Sequence, residues 1–156
     1  MRRPAYAWLI LGLVIACAEP EVPPAVAERP IETNPCRQRV LDFWRIYREA
    51  TQMRVDGEVS ASLTRYDSAL VINPDHGDAL YYSGSAAFQQ GQYADAETRW
   101  RRLLRNDSSN ARAHAQLGML YSCGLPGAPV DLPRARHELE QALALNRAET
   151  GPQVRL

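Results

Sequence analysis

From about residue 43 onward, the sequence repeats itself with a period of 34 residues. Gly84 and Gly118 lie one period apart, as do Ala79 and Ala113. A third copy comes into register when five extra residues are allowed in its middle. A period of about 20–50 residues is typical of repeat proteins, in which each supersecondary unit can bury its apolar side only against a neighbour. The sequence therefore predicts a stack of similar units.

The helix boundaries follow from glycines and a proline between the apolar stretches. Gly57 and Gly91 lie one period apart, where a first helix should end, because glycine adopts the left-handed conformation without a Cβ penalty. Proline disfavours helix at the residue before it, so Asn73-Pro74 marks a stop between copies. No segment alternates apolar and polar residues with a period of two, so we expect an all-α fold. The predicted helices cover residues 36–54, 58–72, 77–90, 93–105, 111–122 and 132–146.

The repeated residues resemble the tetratricopeptide repeat (TPR) family, most clearly in the second copy. Residues 79–84 read ALYYSG, residues 91–96 read GQYADA, and Trp100 occupies the aromatic position of the second helix. The resemblance implies an α-solenoid of about three helix-turn-helix hairpins, wound as a right-handed superhelix. The long loop at 122–130 makes the third repeat partly similar to the Sel1-like variant of the family.

The domain boundaries follow from this register. The TPR domain is expected at 36–147, and residues 150–156 begin an incomplete further repeat. The three repeats are expected at about 43–76, 77–110 and 111–149.

Close packing within a hairpin requires a small residue on one helix and a large one on the other. In the second and third copies, glycines and alanines provide the small residues, and an aromatic residue and a leucine provide the large ones. The predicted repeat-packing residues are Gly84, Gly118, Ala96, Trp100, Ala135 and Leu139.

The final hairpin has no following repeat of full length to cover its apolar residues. Terminal repeats normally carry a polar outer face. The residues left with little to cover them are Leu139, Ala142, Leu143 and Leu145. We therefore expect this end to dock a partner or to associate with a second copy of the chain; the alternative is that the sequence is a fragment of a longer protein.

The first sixteen residues have the form of a bacterial export signal. Arg2 and Arg3 precede an uncharged apolar run of eleven residues, 6–16, which is too short to span a bilayer because a helix needs about 20 residues. Residues 13–17 read LVIAC and resemble the lipobox of bacterial lipoprotein precursors. The resemblance implies a lipoprotein-type signal peptide at 1–16 and lipidation of Cys17. A plain secretory signal and an uncleaved anchor are the alternatives.

The residue after Cys17 bears on the destination of the chain. Enteric-type lipoproteins retained at the inner membrane carry aspartate there, whereas this chain carries Ala18. The resemblance therefore implies a lipid anchor in the outer membrane of the cell envelope, with the domain facing the periplasm. A soluble periplasmic or secreted protein is the alternative.

The segment between the signal and the repeats is expected to be a disordered tether. Residues 18–35 contain five prolines and four glutamates. Proline favours extended backbone, like charges repel, and too few apolar side chains are present to form a core. With Cys17, the stretch 17–35 is interpreted as a spacer that holds the domain off the membrane; a proline-rich docking ligand is the alternative.

The composition and the motif inventory argue against several classes of chemistry. The 18 basic residues, all arginine, balance 18 acidic residues, which argues against nucleic-acid binding driven by net charge. His76, His114 and His137 form no metal-binding pair, and neither a phosphate-binding loop nor a G-x-S-x-G motif is present. We expect no enzymatic activity, no metal and no cofactor; a small hydrolase with an unrecognised site is the remaining alternative.

In TPR proteins the concave wall comes from the first helix of each repeat and binds extended peptides or a partner helix. Aromatic residues and arginines are common anchors at such interfaces. Transferred by register, the predicted partner-binding groove consists of Trp44, Tyr47, Arg48, Asp78, Tyr81, Tyr82, Ser85, Phe88, Arg112, Gln116 and Met119. The alternative interpretation is that half of these tyrosines only complete the packing between helices.

The resemblance leads to two hypotheses of function. The first is a lipid-anchored TPR adaptor or scaffold that binds a peptide or partner protein of unknown identity in the cell envelope. The second is a periplasmic assembly or maturation factor that holds unfolded client chains, as TPR proteins of cytochrome c biogenesis do.

Overall fold

The computed structural model describes residues 34–150, with side chains described as far as residue 147. The predicted signal peptide, Cys17, most of the tether and residues 151–156 lie outside this range. Its elements are α1 (Pro35–Val55), α2 (Val59–Ile72), α3 (Gly77–Gln89), α4 (Tyr93–Asn106), α5 (Ala111–Ser122) and α6 (Leu132–Thr150). The described range contains six helices and no strand, so the predicted all-α class is confirmed.

The helices pair in chain order, and the pairs stack on one another. Within the hairpins, α1 packs on α2, α3 on α4, and α5 on α6. Between hairpins, α2 contacts α3 and α4 contacts α5. This arrangement is the expected TPR α-solenoid, in which each hairpin contacts only its neighbours.

The starts of α3 and α5 are fixed by side chains that lie one period apart. The ring nitrogen Nδ1 of His76 accepts a hydrogen bond from the Ala79 amide at 3.2 Å. One period later, the side-chain oxygen of Asn110 accepts one from the Ala113 amide at 3.1 Å. Each cap satisfies an amide that has no partner inside the helix. The ends of α1 and α3 are also in register. Gly57 and Gly91 follow these helices one period apart, with φ values of 82° and 74°, in the left-handed region that favours glycine.

Two glycines allow the helices of the second and third hairpins to approach closely. A Cβ atom on Gly84 would lie 2.5 Å from Nε1 of Trp100. A Cβ atom on Gly118 would lie 2.6 Å from Cγ of Leu139. The predicted small-to-large contacts are therefore present in both hairpins, with Ala96 and Ala135 also buried.

The core runs along the stack through the faces where hairpins meet. Trp100 is fully buried, and its indole N–H donates to the carbonyl of Tyr81 at 3.2 Å. Tyr121 is also buried, and its hydroxyl donates to Glu97 at 2.8 Å while accepting from Arg101 at 2.9 Å. These bonds satisfy the polar ends of large side chains that otherwise provide apolar packing.

Polar contacts also link neighbouring helices near the surface. Arg99 pairs with Asp67 across the first two hairpins. In the last hairpin, Nδ1 of His114 lies 2.6 Å from Oε2 of Glu138, and both side chains are largely buried.

No helix within residues 34–150 combines the length and apolar character needed to cross a membrane.

Candidate binding groove

A groove of about 500 Å³ runs along the first helices of the three hairpins. The helices α1, α3 and α5 all contribute to its wall, and α2 adds Val59 and Ser62. Its lining residues are Arg54, Gly57, Val59, Ser62, Tyr81, Tyr82, Ser85, Ala86, Phe88, Gln89, Gln116 and Met119. The wall is therefore mainly aromatic, apolar and uncharged polar, which is typical of a site that binds a peptide or another protein.

Six of the predicted groove residues lie together in this lining. They comprise three aromatic residues, one hydroxyl, one amide and one thioether: Tyr81, Tyr82, Phe88, Ser85, Gln116 and Met119. The hydroxyl of Tyr81 accepts a hydrogen bond from Nε2 of Gln116 at 3.2 Å. That bond joins the second hairpin to the third and holds the Tyr81 ring at the groove wall.

Arg54 is the one charged residue in this lining, and the sequence reasoning missed it. Its guanidinium lies 4.5 Å from the ring centroid of Tyr82, within the range of a cation–π interaction. It belongs to none of the ion pairs among the described residues. The register contained a signal for it, because Arg54 lies one period before Phe88.

Asp78 and Arg112 lie at the edge of the groove and neutralise each other. Their side chains form an ion pair at 2.8 Å, and the Arg112 guanidinium lies 4.6 Å from the centroid of the Tyr81 ring. The bond to Asp78 raises the pKa of Arg112 above its usual value. Both residues also line a smaller adjoining depression of about 350 Å³.

The three predicted residues of α1 are not in the groove lining. Tyr47 packs against the buried Tyr66, and their ring centroids are 5.7 Å apart. The burial of Tyr47 raises the pKa of its hydroxyl to about 12. Trp44 lines a separate depression of about 320 Å³, and its ring lies 5.5 Å from that of His76. Arg48 is exposed and donates to the carbonyl of Trp44 at 3.3 Å. These rings pack where α1 meets the start of α3.

The groups in the groove are of the kinds that recognise a ligand. The groove contains hydrogen-bond donors and acceptors, aromatic faces and one cation. Within residues 34–150, no three His, Cys, Asp or Glu side chains are grouped so as to hold a metal ion.

The comparison with known families agrees with the fold. The family model described as tetratricopeptide repeat matches residues 47–111 and 83–121. Among curated proteins, none matches the chain. The family match and the nested hairpins identify this chain as a tetratricopeptide repeat protein. Proteins of this family are typically non-enzymatic scaffolds for protein–protein interaction, and the repeats indicate that role here.

Proposed function

We propose that this protein is a lipid-anchored adaptor of the bacterial cell envelope that binds an extended peptide of a partner protein. The observation that carries the proposal is the groove shared by α1, α3 and α5. Tyr81, Tyr82, Phe88 and Met119 provide apolar contact area along it, and aromatic side chains contribute strongly to binding at interfaces. Gln116 and its neighbours provide the polar groups that fix the position of a backbone.

Charge narrows the kind of peptide that fits. Arg54 is stacked on Tyr82 and carries the one charge in the lining. An arginine held in place by an aromatic ring binds a carboxylate with less loss of side-chain freedom than a mobile one. The preferred ligand is therefore an extended segment with apolar or aromatic residues and an acidic group placed near Arg54.

A matched pair of substitutions tests the groove. Met119→Glu places a carboxylate in the groove at a site that is already exposed, where it repels an acidic ligand, whereas Val71→Glu makes the same kind of change at an exposed site outside the lining. Using an array of immobilised 12-residue peptides as the probe, we expect Met119→Glu to abolish most binding and Val71→Glu to leave it unchanged. Equal behaviour of the two variants contradicts the groove assignment.

The anchor and the location rest on the sequence at 13–18, LVIACA. Two or three acyl chains anchor a protein stably, because each buried methylene contributes about 0.8 kcal/mol. Cells fed radioactive palmitate should label the wild-type chain and the Cys36→Ser and Cys123→Ser variants. Cys17→Ser should lose the label and the membrane association, and retention of label in that variant contradicts lipidation. Fractionation of the labelled membranes tests the proposed outer-membrane location.

The uncharged polar lining supports a second function, that of holding unfolded client chains. Ser85, Gln89 and Gln116 offer hydrogen bonds that do not depend on the sequence of the ligand. A reduced, carboxymethylated protein provides a permanently unfolded probe. If this probe competes with array peptides of many sequences, the maturation role is favoured; if only acidic, aromatic peptides bind, the adaptor role is favoured.

A further inference from the structure

One face of α6 carries a row of exposed leucines. Leu132, Leu139 and Leu143 recur at helical spacing and are 64%, 40% and 56% exposed. Ala135 and Ala142, which lie on the side toward α5, are buried, so the expectation that Ala142 has little to cover it is wrong. The helix therefore has one apolar side buried in its own hairpin, where Leu139 also packs against Gly118. A second, adjacent side is formed by Leu132, Leu143 and the outer part of Leu139, and no following hairpin covers it in the described range.

The repeat register shows that the leucine face is where another helix packs. Tyr66 in α2 and Trp100 in α4 occupy the position equivalent to Leu139, and both are 0% exposed. Tyr66 belongs to a buried cluster with Ala79 of α3, and Trp100 to one with Leu117 of α5. In each case the following hairpin completes the burial. Leu139 lacks that cover.

The opposite end of a second copy does not supply this cover. In α5, the residues that pack against the preceding hairpin include Ala113 and Leu117. The equivalent residues of α1 are Arg45 and Glu49, which pair with each other at 3.1 Å. Burying two charges against leucines carries a desolvation penalty that their attraction does not reliably offset. Head-to-tail stacking of copies is therefore disfavoured.

The charges on α6 point to a different arrangement. Arg136 lies beside Leu132 in a shallow depression of the surface, and Glu140 follows one turn later. The described side chains of α6 form ion pairs from Glu138 to His114 and from Arg134 to Asp131, and neither Arg136 nor Glu140 takes part in them. An arginine inside an apolar face requires a carboxylate opposite it when the face is covered.

We propose that the leucine face of α6 is a two-fold dimer interface, in which α6 packs antiparallel on α6 of a second copy. A symmetry axis near residue 138 sets Leu132 opposite Leu143 of the other copy, because the two positions are almost equidistant from it. The same axis sets Arg136 opposite Glu140. Each contact occurs twice, as an isologous interface requires. One helix face thus supplies both its apolar surface and its own counter-charges.

The experiment is sedimentation equilibrium of the full chain and its variants. A reducing buffer with detergent is used, since three cysteines and the apolar N-terminal run would otherwise associate on their own. We expect a wild-type dimer with a Kd of about 1–10 µM, in the range of a modest interface. Leu143→Glu should weaken it by at least about tenfold. The control Val71→Glu, at an exposed site on α2, should leave it unchanged.

A charge exchange tests the symmetry itself. Arg136→Glu places like charges opposite each other twice and should weaken the dimer. Adding Glu140→Arg restores opposite charges and should bring the Kd back to within about threefold of wild type. A wild-type chain that stays monomeric at about 100 µM, a dimer indifferent to Leu143→Glu, or an exchange that fails to restore association overturns the proposal. Thermal melts of the exposed-site variants verify that each remains folded.

Discussion

At the first end of the stack, the outward positions of α1 carry Arg45, Glu49 and Gln52; at the last end, the outward face of α6 carries leucines. At both ends the outward side of the terminal helix is uncovered, because neither end has a neighbouring hairpin in the described range. The first end carries partly exposed ion pairs there, including the pair of Glu49 with Arg65 at 3.3 Å. The last end, represented by Leu139, keeps the apolar character of an internal repeat.

The difference shows which part of the repeat pattern belongs to the hairpin and which to its neighbour. Ala50 in α1 is buried against its own hairpin, as Gly84 and Gly118 are in theirs. The outward positions vary instead with what covers them. A polar residue at an outward position is typical of the end of a stack, and an apolar residue at that position is typical of a face that another helix covers.

The largest expected effect separates the middle of the stack from its end. Trp100→Ala should cost about 3–5 kcal/mol in the free energy of unfolding, because it removes a fully buried ring and its hydrogen bond. Leu139→Ala, at the equivalent position, should cost about 1 kcal/mol, since Leu139 is partly exposed. Urea titrations followed by circular dichroism measure both.

The protein concentration makes this comparison sharper. Below the range in which dimers form, the two costs should differ as stated. At high concentration the cost of Leu139→Ala should rise, because association adds to apparent stability. Equal costs at low concentration contradict the idea that the last end is uncovered.

The next effect compares two glycines in the same register. A methyl group on Gly84 meets the buried Trp100 ring, and Gly84→Ala should destabilise by roughly 1–2 kcal/mol after the gain of about 1 kcal/mol in helix propensity. Gly118→Ala should be within about 1 kcal/mol of neutral, because Leu139 can turn toward solvent and the Ala135 carbonyl, at 3.2 Å, needs to move only slightly. Thermal and urea unfolding of both variants measure the difference, and a larger loss at Gly118 contradicts it.

The sequence predicted the fold closely because the signals for helix ends are local. The six predicted helices agree with the observed ones within one or two residues at nearly every boundary. The exception is the end of α6, which continues to Thr150 rather than stopping at Asn146. A helix continues until a residue stops it, and the first strong breakers are Gly151 and Pro152.

The groove was less predictable because register gives a position along a helix but not the contacts of its side chain. Tyr81 and Tyr82 lie in the lining as expected. Trp44 and Tyr47 of α1 instead pack around His76, at ring distances of 5.5 and 5.1 Å. That contact joins residues about 30 positions apart, and no local pattern encodes it.

A smaller effect tests how the first hairpin is held to the second. His76 caps α3 through a nitrogen that accepts a hydrogen bond, so protonation removes the cap, whose loss costs about 1 kcal/mol. Burial lowers the pKa of His76 below 6.5, although Asp78 opposes the shift. The unfolded chain therefore binds the proton first, and the stabilisation that is present above about pH 6.5 is lost as the pH falls toward the folded-state pKa.

The control is a variant that carries at position 76 the capping residue of the next repeat, asparagine. Asn110 occupies the equivalent position and does not titrate, so His76→Asn should keep the cap. The variant loses the ring contacts with Trp44 and Tyr47, which should lower its stability by a similar amount, about 1 kcal/mol, at every pH. Between pH 7 and 5 the melting temperature of the variant should fall less than that of wild type. Parallel pH profiles for the two proteins contradict the capping role of neutral His76.

The smallest expected change in unfolding free energy tests the first end directly. Replacing Arg45 by Ala, and Glu49 and Gln52 by Leu, gives α1 the residues found at the equivalent positions of α5. The lost ion pairs are partly exposed, and Oε2 of Glu49 is buried without a hydrogen bond, so removing this carboxylate also removes a buried charged atom. The stability of the dilute protein should therefore change by less than about 1 kcal/mol. The association should change in kind, since the new face fits the leucine face of α6 head to tail, and such contacts continue from copy to copy without closing.

Sedimentation should then show species larger than a dimer, and adding Leu143→Glu to the triple variant should remove them. If the triple variant stays at the wild-type size, the polar residues of α1 are not what ends the stack. If the large species survive Leu143→Glu, the converted face associates with itself rather than with α6. If the large species are lost when Leu143→Glu is added, the converted face of α1 packs against α6. That result shows that the outward residues alone account for the difference between the two ends.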